Sequence, residues 1–211
     1  GIVLGAAVAA SSYVSGVPLH HPAPSLAPRR SPYLGLPLSD ASDFKPNEED
    51  PRYKVRQLLE TDPATSQVIA SALAAGSIVG IARDRSEIGP RALGNRSILA
   101  SGADPEMRKK LNNNIKNREW WRPFAPVCRA SDAERFFDFT KNALSPYMLT
   151  FVRAKPEYRE RFVSACHEDG TARLQIVPDR EWNPLLWDCL TEFAEQTGIG
   201  VLINTSFNVG G

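Results

Sequence analysis

The sequence of 211 residues is poor in the side chains that metal centres, disulfide frameworks and bulk nucleic-acid binding require. Its three cysteines, Cys128, Cys166 and Cys189, lie far apart without a CxxC pair, an arrangement typical of reduced thiols in a cytoplasmic protein. The neighbouring His20 and His21 point in different directions and make a poor metal pair, so we predict no metal site. The formal net charge of +1 argues against nucleic-acid binding by bulk charge but leaves room for a local basic pocket.

Other absences concern catalysis and location. No Walker-type phosphate loop is present, and no Ser-His-Asp or Cys-His arrangement can be assembled from the sequence. No apolar run reaches the roughly 18 residues that span a bilayer, and no signal peptide is visible, so we expect a cytoplasmic protein without a membrane segment. The chain begins without Met and stops at "NVGG" just after a strand-like run, and we therefore expect a piece of a longer protein.

Proline density divides the chain into parts. Residues 1–14 are apolar and small, which indicates a strand end or a closely packed helix. Eight of the 17 prolines then fall between Pro18 and Pro51. That density rules out regular structure over most of the segment and predicts a connector.

Beyond about residue 54 the pattern mixes helices with strands. Capping residues and prolines predict helices that begin at Asp62-Pro63, at Asp104-Pro105, near Ser131 with Glu134, and at Asn183-Pro184 with an end at Gly198. Short apolar runs predict strands in "SIVGIA" (77–82), "APVCRA" (125–130), "YMLTFV" (147–152), "ARLQIV" (172–177) and "GVLIN" (200–204). The mixture predicts the α/β (α+β) class.

Basic residues gather in one region, because residues 83–129 hold eleven Lys and Arg against five Asp and Glu. The stretch "RSEIGPRALGNRSILA" (85–100) combines Gly89 and Gly94, which permit sharp bends, with Arg91 and Arg96. Arginine presents a planar fork that matches phosphate or carboxylate, and both side chains can face a single anion.

A second basic stretch, "NNNIKNREWWRPFAP" (112–126), interleaves Lys116, Arg118 and Arg122 with Trp120 and Trp121. Aromatic rings beside cations can hold a base or a guanidinium plane. A basic helix end packed by tryptophans is an equally good interpretation of the same residues.

Two further stretches supply polar groups near strands. In "HEDGTARLQIV" (167–177), Arg173 alternates with apolar residues and needs a partner, either a ligand anion or an acidic side chain; His167 alone is a weak catalytic candidate. In "NTSFN" (204–208), amide and hydroxyl groups follow a strand and can donate to phosphate or carbonyl oxygens, although a simple Asx or Ser turn explains them equally well. This basic, amide-rich inventory suits charge stabilisation on phosphate or pyrophosphate better than covalent catalysis.

Five of these stretches together resemble the C-terminal region of the O-carbamoyltransferase family of nodulation and antibiotic-tailoring enzymes. They are "RSEIGPRALGNRSILA", "LNNNIKNREWWRPFAP", "SPYML", "DGTARLQIV" and "LINTSFN", and they follow the family order over about residues 65–211. The start "GIVLGAAVAA" is similar to the end of the family's first domain, a fold of the actin/Hsp70-like ATPase class. The resemblance thus implies a remnant of that domain at 1–17, a Pro-rich linker at 18–60 and the carbamoyltransferase C-terminal domain at 61–211.

The resemblance also implies a fold and a reaction. The fold is a twisted mixed sheet with flanking helices, YrdC-like, as in threonylcarbamoyl-adenylate synthases. Carbamoyl phosphate and ATP would give carbamoyl-adenylate and pyrophosphate, and the first domain would pass the carbamoyl group to a hydroxylated small molecule such as a sugar or an antibiotic. Mg²⁺ would arrive with ATP. Fe²⁺ or another divalent metal is expected only in the first domain, whose Asp and His ligands would lie upstream of Gly1.

Residue roles follow from the same resemblance. Lys116 and Arg122 are implied to be catalytic, holding carbamoyl phosphate and the ATP phosphates. Substrate or nucleotide binding is implied for Arg91, Arg173, Asn204, Ser206 and Asn208, and more weakly for Arg96 and Arg118, either of which can instead pair with Glu87 or Glu119. Asp84 departs from the family, which more often has Gly there, and its acid argues against Arg85 as a ligand.

Two alternatives remain open from the sequence. One is an RNA- or nucleotide-binding module of the same fold without carbamoyl transfer, for which "REWWRP" is the best support and the near-neutral net charge the main objection. The other is a fragment that only supports a partner domain. Under the enzyme hypothesis, the arginines converge to neutralise two polyanionic reactants, whose repulsion costs on the order of several kcal/mol at intermediate dielectric.

Overall fold

The computed structural model describes residues 32–38, 61–139 and 145–208 of the chain. The apolar start, the histidine pair and most of the predicted linker lie outside these residues. The described strands are β1 (Val79–Ala82), β2 (Arg96–Ser101), β3 (Ala125–Arg129), β4 (Phe137–Asp138), β5 (Thr150–Ala154), β6 (Thr171–Val177) and β7 (Val201–Ser206).

All seven strands join one sheet in the order β1-β2-β7-β3-β6-β5-β4. β3 and β6 run parallel, and the other neighbouring pairs are antiparallel. The predicted mixture of helices and strands is confirmed, with a sheet that is mostly antiparallel. Strand β7 lies between β2 and β3, and its Asn204 pairs with Leu99 on one side and with Ala125 on the other.

Two helices have the ends that the sequence predicts. Helix α1 (Pro63–Ala74) begins after Asp62, whose carboxylate accepts a hydrogen bond of 2.9 Å from the N–H of Ala64. The last helix, Pro184–Thr197, begins after Asn183, whose Oδ1 accepts from the N–H of Leu186 at 3.1 Å. Gly198 ends it at a φ of +75°, a left-handed conformation that glycine adopts without strain.

The other two helices differ from the predictions in detail. Helix α2 (Met107–Leu111) continues directly into a π-helical turn, Asn112–Lys116. Helix α3 (Ala130–Phe136) begins after Arg129, which makes no side-chain capping bond, so the predicted Ser131 capping box is wrong. The last helix, Pro184–Thr197, is α4 in this numbering. No helix among the described residues is both long and apolar enough to cross a membrane.

Every predicted strand segment contains a strand, but some details differ. "YMLTFV" is overlapped at its start by a 3-10 turn, Ser145–Tyr147, and β5 begins only at Thr150. β1 is an edge strand with Gly80 and Ala82 exposed, rather than a buried one. Neither β2 nor the two-residue β4 is among the predicted strands.

Both faces of the sheet are covered. One face packs against α2 and the kinked 3-10 helix Pro156–Ala165, and its apolar cluster includes the fully buried Phe162. On the other face, Leu73 of α1 and Leu190 of α4 share a cluster with Leu202 of β7. The polar residues at one end of the sheet are therefore held by a core packed on both sides.

Part of the predicted linker is bound to the domain. Gly35 donates its N–H to the carbonyl of Ser86 at 2.8 Å, and the N–H of Ser86 donates to the carbonyl of Leu36 at 2.9 Å. A Cβ on Gly35 would lie 2.1 Å from Ser86 Oγ, so only glycine permits this approach. Residues 32–38 thus lie along the segment that leads toward Arg91.

Candidate functional site

A cavity of about 150 Å³ opens at the end of the sheet where β7 finishes and β3 and β6 begin. Three arginines from separate segments line it, Arg91, Arg118 and Arg173, and none of the described residues in its wall is acidic. Asn204 and Ser206 of β7 complete the polar wall. Such a cavity attracts anions, because several guanidinium groups share a space without a neutralising carboxylate.

The loop that carries Arg91 is held by a carboxylate beneath it. Glu87 Oε1 accepts hydrogen bonds from the backbone N–H groups of Leu93 at 2.7 Å, Asn95 at 2.8 Å and Arg96 at 3.3 Å. Glu87 therefore serves the backbone, not the Arg96 side chain with which the sequence suggested a pair. This fixes the loop that precedes β2.

Gly94 is required in that loop for two reasons. Its φ is +127°, and a Cβ would lie 2.7 Å from Asn183 Nδ2. Asn183 Nδ2 itself donates to the hydroxyl of Tyr33 at 2.9 Å, and Tyr33 donates in turn to the carbonyl of Leu93 at 2.9 Å. The N-cap of α4 and residues 32–38 thus both contact the Arg91 loop.

Arg118 enters the cavity just after the π-helical turn. Asn117 adopts a left-handed conformation with φ +46°, and Arg118 Nε then donates to Asn112 Oδ1 at 2.6 Å. Its guanidinium carbon lies 4.7 Å from the ring centre of Phe124, in cation–π contact. Burial, followed by the like charge of Arg122, lowers the pKa of Arg118, which remains protonated as arginines do.

Arg173 reaches the same cavity from β6. Burial and then the like charge of Arg91 lower its pKa, a sign that two cations are held close together. Its Nε is buried and has no hydrogen-bond partner among the described residues. The acidic partner that the sequence left open for Arg173 is not in the cavity wall.

A buried amide network lies below the arginines. Gln175, fully buried on β6, donates from Nε2 to the carbonyl of Leu93 at 2.7 Å. Asn204, 1% exposed, donates from Nδ2 to Gln175 Oε1 at 2.6 Å and to the carbonyl of Ala92 at 3.1 Å. Its Oδ1 is buried and has no partner in the part of the chain that the structure describes. The amide hydrogens that the sequence interpretation offered to a substrate oxygen are therefore directed at protein acceptors.

Lys116 supports the "NTSFN" turn from behind. Although charged, it is 4% exposed, and its Nζ donates to Asn208 Oδ1 at 2.9 Å, to the Asn208 carbonyl at 3.0 Å and to the carbonyl of Ser206. Burial, and secondarily the charge of Arg118, lower the pKa of Lys116 to about 8. The turn is thus both a Ser/Asn turn and part of the basic site, so the two sequence interpretations of "NTSFN" are compatible.

Two sequence candidates lie away from the cavity wall. Arg122 is half exposed and faces Glu119, with 3.6 Å between Nη1 and Oε2, the pairing that the sequence had suggested for Arg118. Arg96 donates from Nη1 to the carbonyl of Asn95 at 2.9 Å and from Nη2 to the carbonyl of Asp84 at 3.0 Å. Its guanidinium is thereby occupied by the backbone.

Asp84, where the family more often has glycine, has an unusual backbone conformation. Its φ is +44°, a left-handed backbone in which glycine is unstrained, which accounts for the glycine expected at this position. The adjacent Arg85 donates to the carbonyl of Leu34 at 3.3 Å and does not line the cavity.

Other candidate groups are separate from this site. His167 lines a different cavity together with Arg108 and Arg159. Among the described residues, no group of three or more His, Cys, Asp or Glu is arranged to hold a metal ion. The three cysteines are buried and free, and burial raises the pKa of the Cys166 and Cys189 thiols to about 12, so they are poor nucleophiles.

Two residues that form hydrogen bonds at the site, Gln175 and Tyr33, are not among the predicted site residues. Gln175 was interpreted only as part of a strand, although a polar residue at a buried strand position is itself a signal of a functional or structural hydrogen bond. Tyr33 lies in the predicted linker, and nothing in its local pattern indicates that its hydroxyl reaches Leu93, which is 60 residues away.

Parts of this sequence are similar to known proteins. A relative named 3'-hydroxymethylcephem-O-carbamoyltransferase, from Streptomyces clavuligerus, is 46% identical over 154 residues, which are 72% of this chain and 28% of the relative. Nodulation protein NolO of Bradyrhizobium diazoefficiens is 42% identical over 137 residues, 64% of this chain and 25% of that protein. This chain therefore corresponds to between a quarter and a third of either relative.

The similarity to a solved structure is weaker than these similarities in sequence. The crystal structure of full-length HypF in the phosphate- and nucleotide-bound form aligns with a TM-score of 0.47 and 16% identity over 72% of this chain and 18% of that one, too distant to assign a fold. The sequence family is clear, since the family described as "Carbamoyltransferase C-terminus" matches residues 70–211, which include every residue of the cavity wall. The chain belongs to the carbamoyltransferase C-terminus family.

Proposed function

We propose that this chain forms carbamoyl-adenylate from carbamoyl phosphate and ATP, as the C-terminal part of an O-carbamoyltransferase. The observation that carries the proposal is the convergence of Arg91, Arg118 and Arg173 on one cavity whose described wall holds no acid. Two anionic reactants a few ångströms apart repel each other by about 4 kcal/mol per unit-charge pair at an effective dielectric constant of 20. Fixed cations remove that penalty and stabilise the charge that develops during transfer.

The reaction balances with water as a third reactant. Loss of the phosphoryl group of carbamoyl phosphate to water leaves carbamate and inorganic phosphate. A carbamate oxygen then attacks the α-phosphorus of ATP, a new P–O bond forms, and the bond to the β-phosphate breaks to release pyrophosphate. No protein nucleophile is needed, which agrees with a cavity lined by three arginines, the amide of Asn204 and the hydroxyls of Thr205 and Ser206.

Each polar group has a place in this proposal. The three arginines bind the phosphoryl oxygens of the two substrates. The hydroxyl of Ser206 donates to Asn208 Oδ1 in the unliganded protein, and it would turn to donate to a substrate oxygen. Lys116 adds positive charge behind the turn and fixes Asn208 and Ser206. Mg²⁺ would accompany ATP and neutralise part of its charge. Arg122, predicted to be catalytic, has a smaller part in the proposal, because it faces Glu119.

The second step belongs to the rest of the protein. The carbamoyl group of the adenylate would pass to a hydroxyl of a small acceptor in an upstream actin/Hsp70-like domain, where the Fe²⁺ or other divalent metal is expected. One relative's name specifies a hydroxymethyl group on a cephem as the acceptor. A hydroxylated antibiotic or sugar is accordingly the acceptor class that we propose.

Carbamoyl-phosphate-dependent exchange of labelled pyrophosphate into ATP, measured in the full-length protein, tests the first step. We expect Lys116→Ala and Arg91→Ala to abolish exchange. Lys109→Ala is a matched control, because Lys109 lies on the exposed side of α2 and pairs with Glu106 at 3.0 Å. Exchange at the wild-type rate in both site variants would refute the assignment.

An RNA-binding alternative has one observation in its favour. Trp120 and Trp121 are 54% and 57% exposed and stand beside Arg122 on the surface. Exposed aromatic rings next to a cation can stack on unpaired bases. Salt-dependent binding of a single-stranded RNA that ATP does not displace, and that is lost in the Trp120→Ala/Trp121→Ala double variant, would support this alternative.

A further inference from the structure

The unpartnered oxygen of Asn204 is the starting point, and its orientation is fixed by the backbone. The carbonyls of Leu93 and Ala92 can only accept hydrogen bonds, so Gln175 must present Nε2 to the first and Asn204 must present Nδ2 to the second. Gln175 Oε1 then also faces Asn204 Nδ2 at 2.6 Å. Asn204 Oδ1 is left as a buried acceptor with no donor within residues 32–38, 61–139 and 145–208, and turning the amide over would place oxygen against oxygen twice.

Asn204 lies in the wall of the cavity whose charged residues, Arg91, Arg118 and Arg173, favour anions. A phosphate oxygen gains nothing from an amide oxygen, since both are acceptors. The ligand group that meets Asn204 must therefore carry an N–H or O–H. Arg173 Nε, in the same wall, is a buried donor without a partner. One unsatisfied acceptor and one unsatisfied donor match a group that carries N–H and oxygen together.

We propose that Asn204 selects the carbamoyl group: its Oδ1 accepts a hydrogen bond from the substrate NH₂, while Arg173 Nε donates to a substrate oxygen. The inference rests on the proposed function, because it assumes that a carbamoyl donor occupies this cavity. Gln175 is a positioning residue, since it orients the Asn204 amide without lining the cavity. The site thereby discriminates against acyl phosphates that have a methyl group in place of the amine.

The physical basis of this selectivity is an acceptor that only one of the two ligands can satisfy. Asn204 Oδ1 is already buried and has no donor among the described residues, so an NH₂ group placed against it gains a hydrogen bond and a methyl group does not. Sites that hydrogen-bond a substrate N–H reject the analogue that lacks it far more strongly than apolar pockets reject a size difference. The energy of discrimination therefore comes from one side-chain oxygen, not from the shape of the cavity.

A pair of stable, nearly isosteric ligands tests the inference without turnover. Phosphonoacetamide keeps the NH₂ of carbamoyl phosphate, and acetonylphosphonate replaces it with CH₃. In calorimetric titrations of the full-length protein we expect phosphonoacetamide to bind about 10-fold tighter or more. In Asn204→Ala both affinities fall, and the ratio drops to within about twofold. Ser206→Ala is the matched control, because it removes a donor and should weaken both ligands while preserving the ratio.

Several outcomes would overturn the inference. Equal affinity of the two phosphonates for the wild-type protein would do so by itself, even if Asn204→Ala did not fold. A ratio that persists in a folded Asn204→Ala variant would also do so. If that variant instead weakened only ATP binding, the acceptor would serve the adenine amine. Absence of carbamoyl-phosphate-dependent exchange in the wild-type protein would refute the proposed function separately.

Discussion

Two groups of arginines in this protein differ in what their guanidinium groups contact. Arg96 donates to backbone carbonyls beside the Arg91 loop, and Arg129 donates to Asp132 at 2.7 Å and to Thr191 at 2.8 Å. Acceptors within the protein bind the guanidinium hydrogens of both arginines, so Arg96 and Arg129 hold neighbouring segments of the chain together. We call Arg96 and Arg129 the scaffold arginines.

The cavity arginines are Arg91, Arg118 and Arg173. Arg91 donates to the carbonyl of its neighbour Pro90 at 3.1 Å, and Arg173 Nε has no partner among the described residues. Burial lowers the pKa of Arg118 and Arg173, with a further contribution from the like charge of Arg122 on Arg118 and of Arg91 on Arg173, so the unliganded site holds positive charge at a cost in free energy. Arg118 donates one hydrogen bond, from Nε to Asn112 Oδ1, and still lines the cavity. An arginine's role therefore depends on how much of its guanidinium is occupied by protein acceptors, which a sequence motif does not reveal.

Replacing a cavity arginine should lower exchange activity far more than replacing a scaffold arginine. Arg173→Met should lower carbamoyl-phosphate-dependent exchange by about 10²- to 10³-fold, because it removes a charge-stabilising donor from the cavity. Its melting temperature should not fall, since like-charge repulsion with Arg91 is relieved.

Arg129→Met is the scaffold control for that experiment. It should lower the free energy of unfolding by about 2 kcal/mol, because Asp132 and Thr191 lose a partner, while exchange per folded molecule stays within about threefold. Denaturant unfolding and exchange assays on both variants provide the measurements. Similar behaviour of the two variants would remove the distinction between the groups.

The second prediction compares Arg118 with Arg122, which lies four residues later. Arg118→Met should lower exchange by about 10- to 100-fold, and Arg122→Met by clearly less, because Arg118 lines the cavity and Arg122 faces Glu119. Steady-state kinetics of the two single variants in parallel decide the order. The reverse order would restore the assignment that sequence resemblance favours.

The third prediction concerns pH and Lys116. Its pKa of about 8 means that the buried ammonium loses its proton as pH rises through 8, so KM for ATP should rise several-fold between pH 7 and 9. Lys116→Arg, whose guanidinium remains protonated, should not show this rise. A pH profile of KM with no break near 8 in the wild-type protein would contradict the assignment.

The same pKa has a consequence for stability. In the unfolded chain a lysine loses its proton near roughly 10.4. Between about pH 8 and that value the unfolded state therefore binds more protons than the folded state, and Lys116 makes the free energy of unfolding rise with pH. Comparison of wild-type and Lys116→Met unfolding across this window isolates the contribution.

The smallest expected effect lies at Asp84. Asp84→Gly should leave activity unchanged and stabilise the protein by at most about 1 kcal/mol, because glycine adopts a φ of +44° without the penalty of a side chain, a gain offset partly by the greater entropy of glycine in the unfolded chain. Thermal unfolding measures it. A loss of stability would show that the 4.0 Å contact with Arg83 outweighs the backbone strain.

Local signals predicted much of the fold. The caps at Asp62 and Asn183, and Gly198 after the last helix, act within a few residues and could be read directly. The 96–101 strand was missed because its apolar centre, "SILA", follows arginine and glycine and was interpreted as part of a binding loop. Strand β5 begins later than expected because Met148 takes a left-handed turn at φ +55°.

The site depends on contacts that the sequence does not encode locally. Arg118 and Arg122 differ by one helical turn in the sequence, and only the π-helical turn and the left-handed Asn117 decide which of them enters the cavity. The free oxygen of Asn204 follows from carbonyls 111 and 112 residues earlier in the chain. No motif could indicate which end of that amide is satisfied.

The contact of residues 32–38 with the Arg91 loop gives the domain a mechanical connection to whatever precedes it. Leu93 O receives one hydrogen bond from Gln175 and one from Tyr33, whose hydroxyl stays protonated because burial raises its pKa. A displacement of Tyr33 would release one of these two bonds and loosen the backbone between Arg91 and Asn95. Movement of residues 32–38 would thus be transmitted to the anion cavity through this phenol and through the backbone hydrogen bonds that Gly35 and Leu36 make with Ser86.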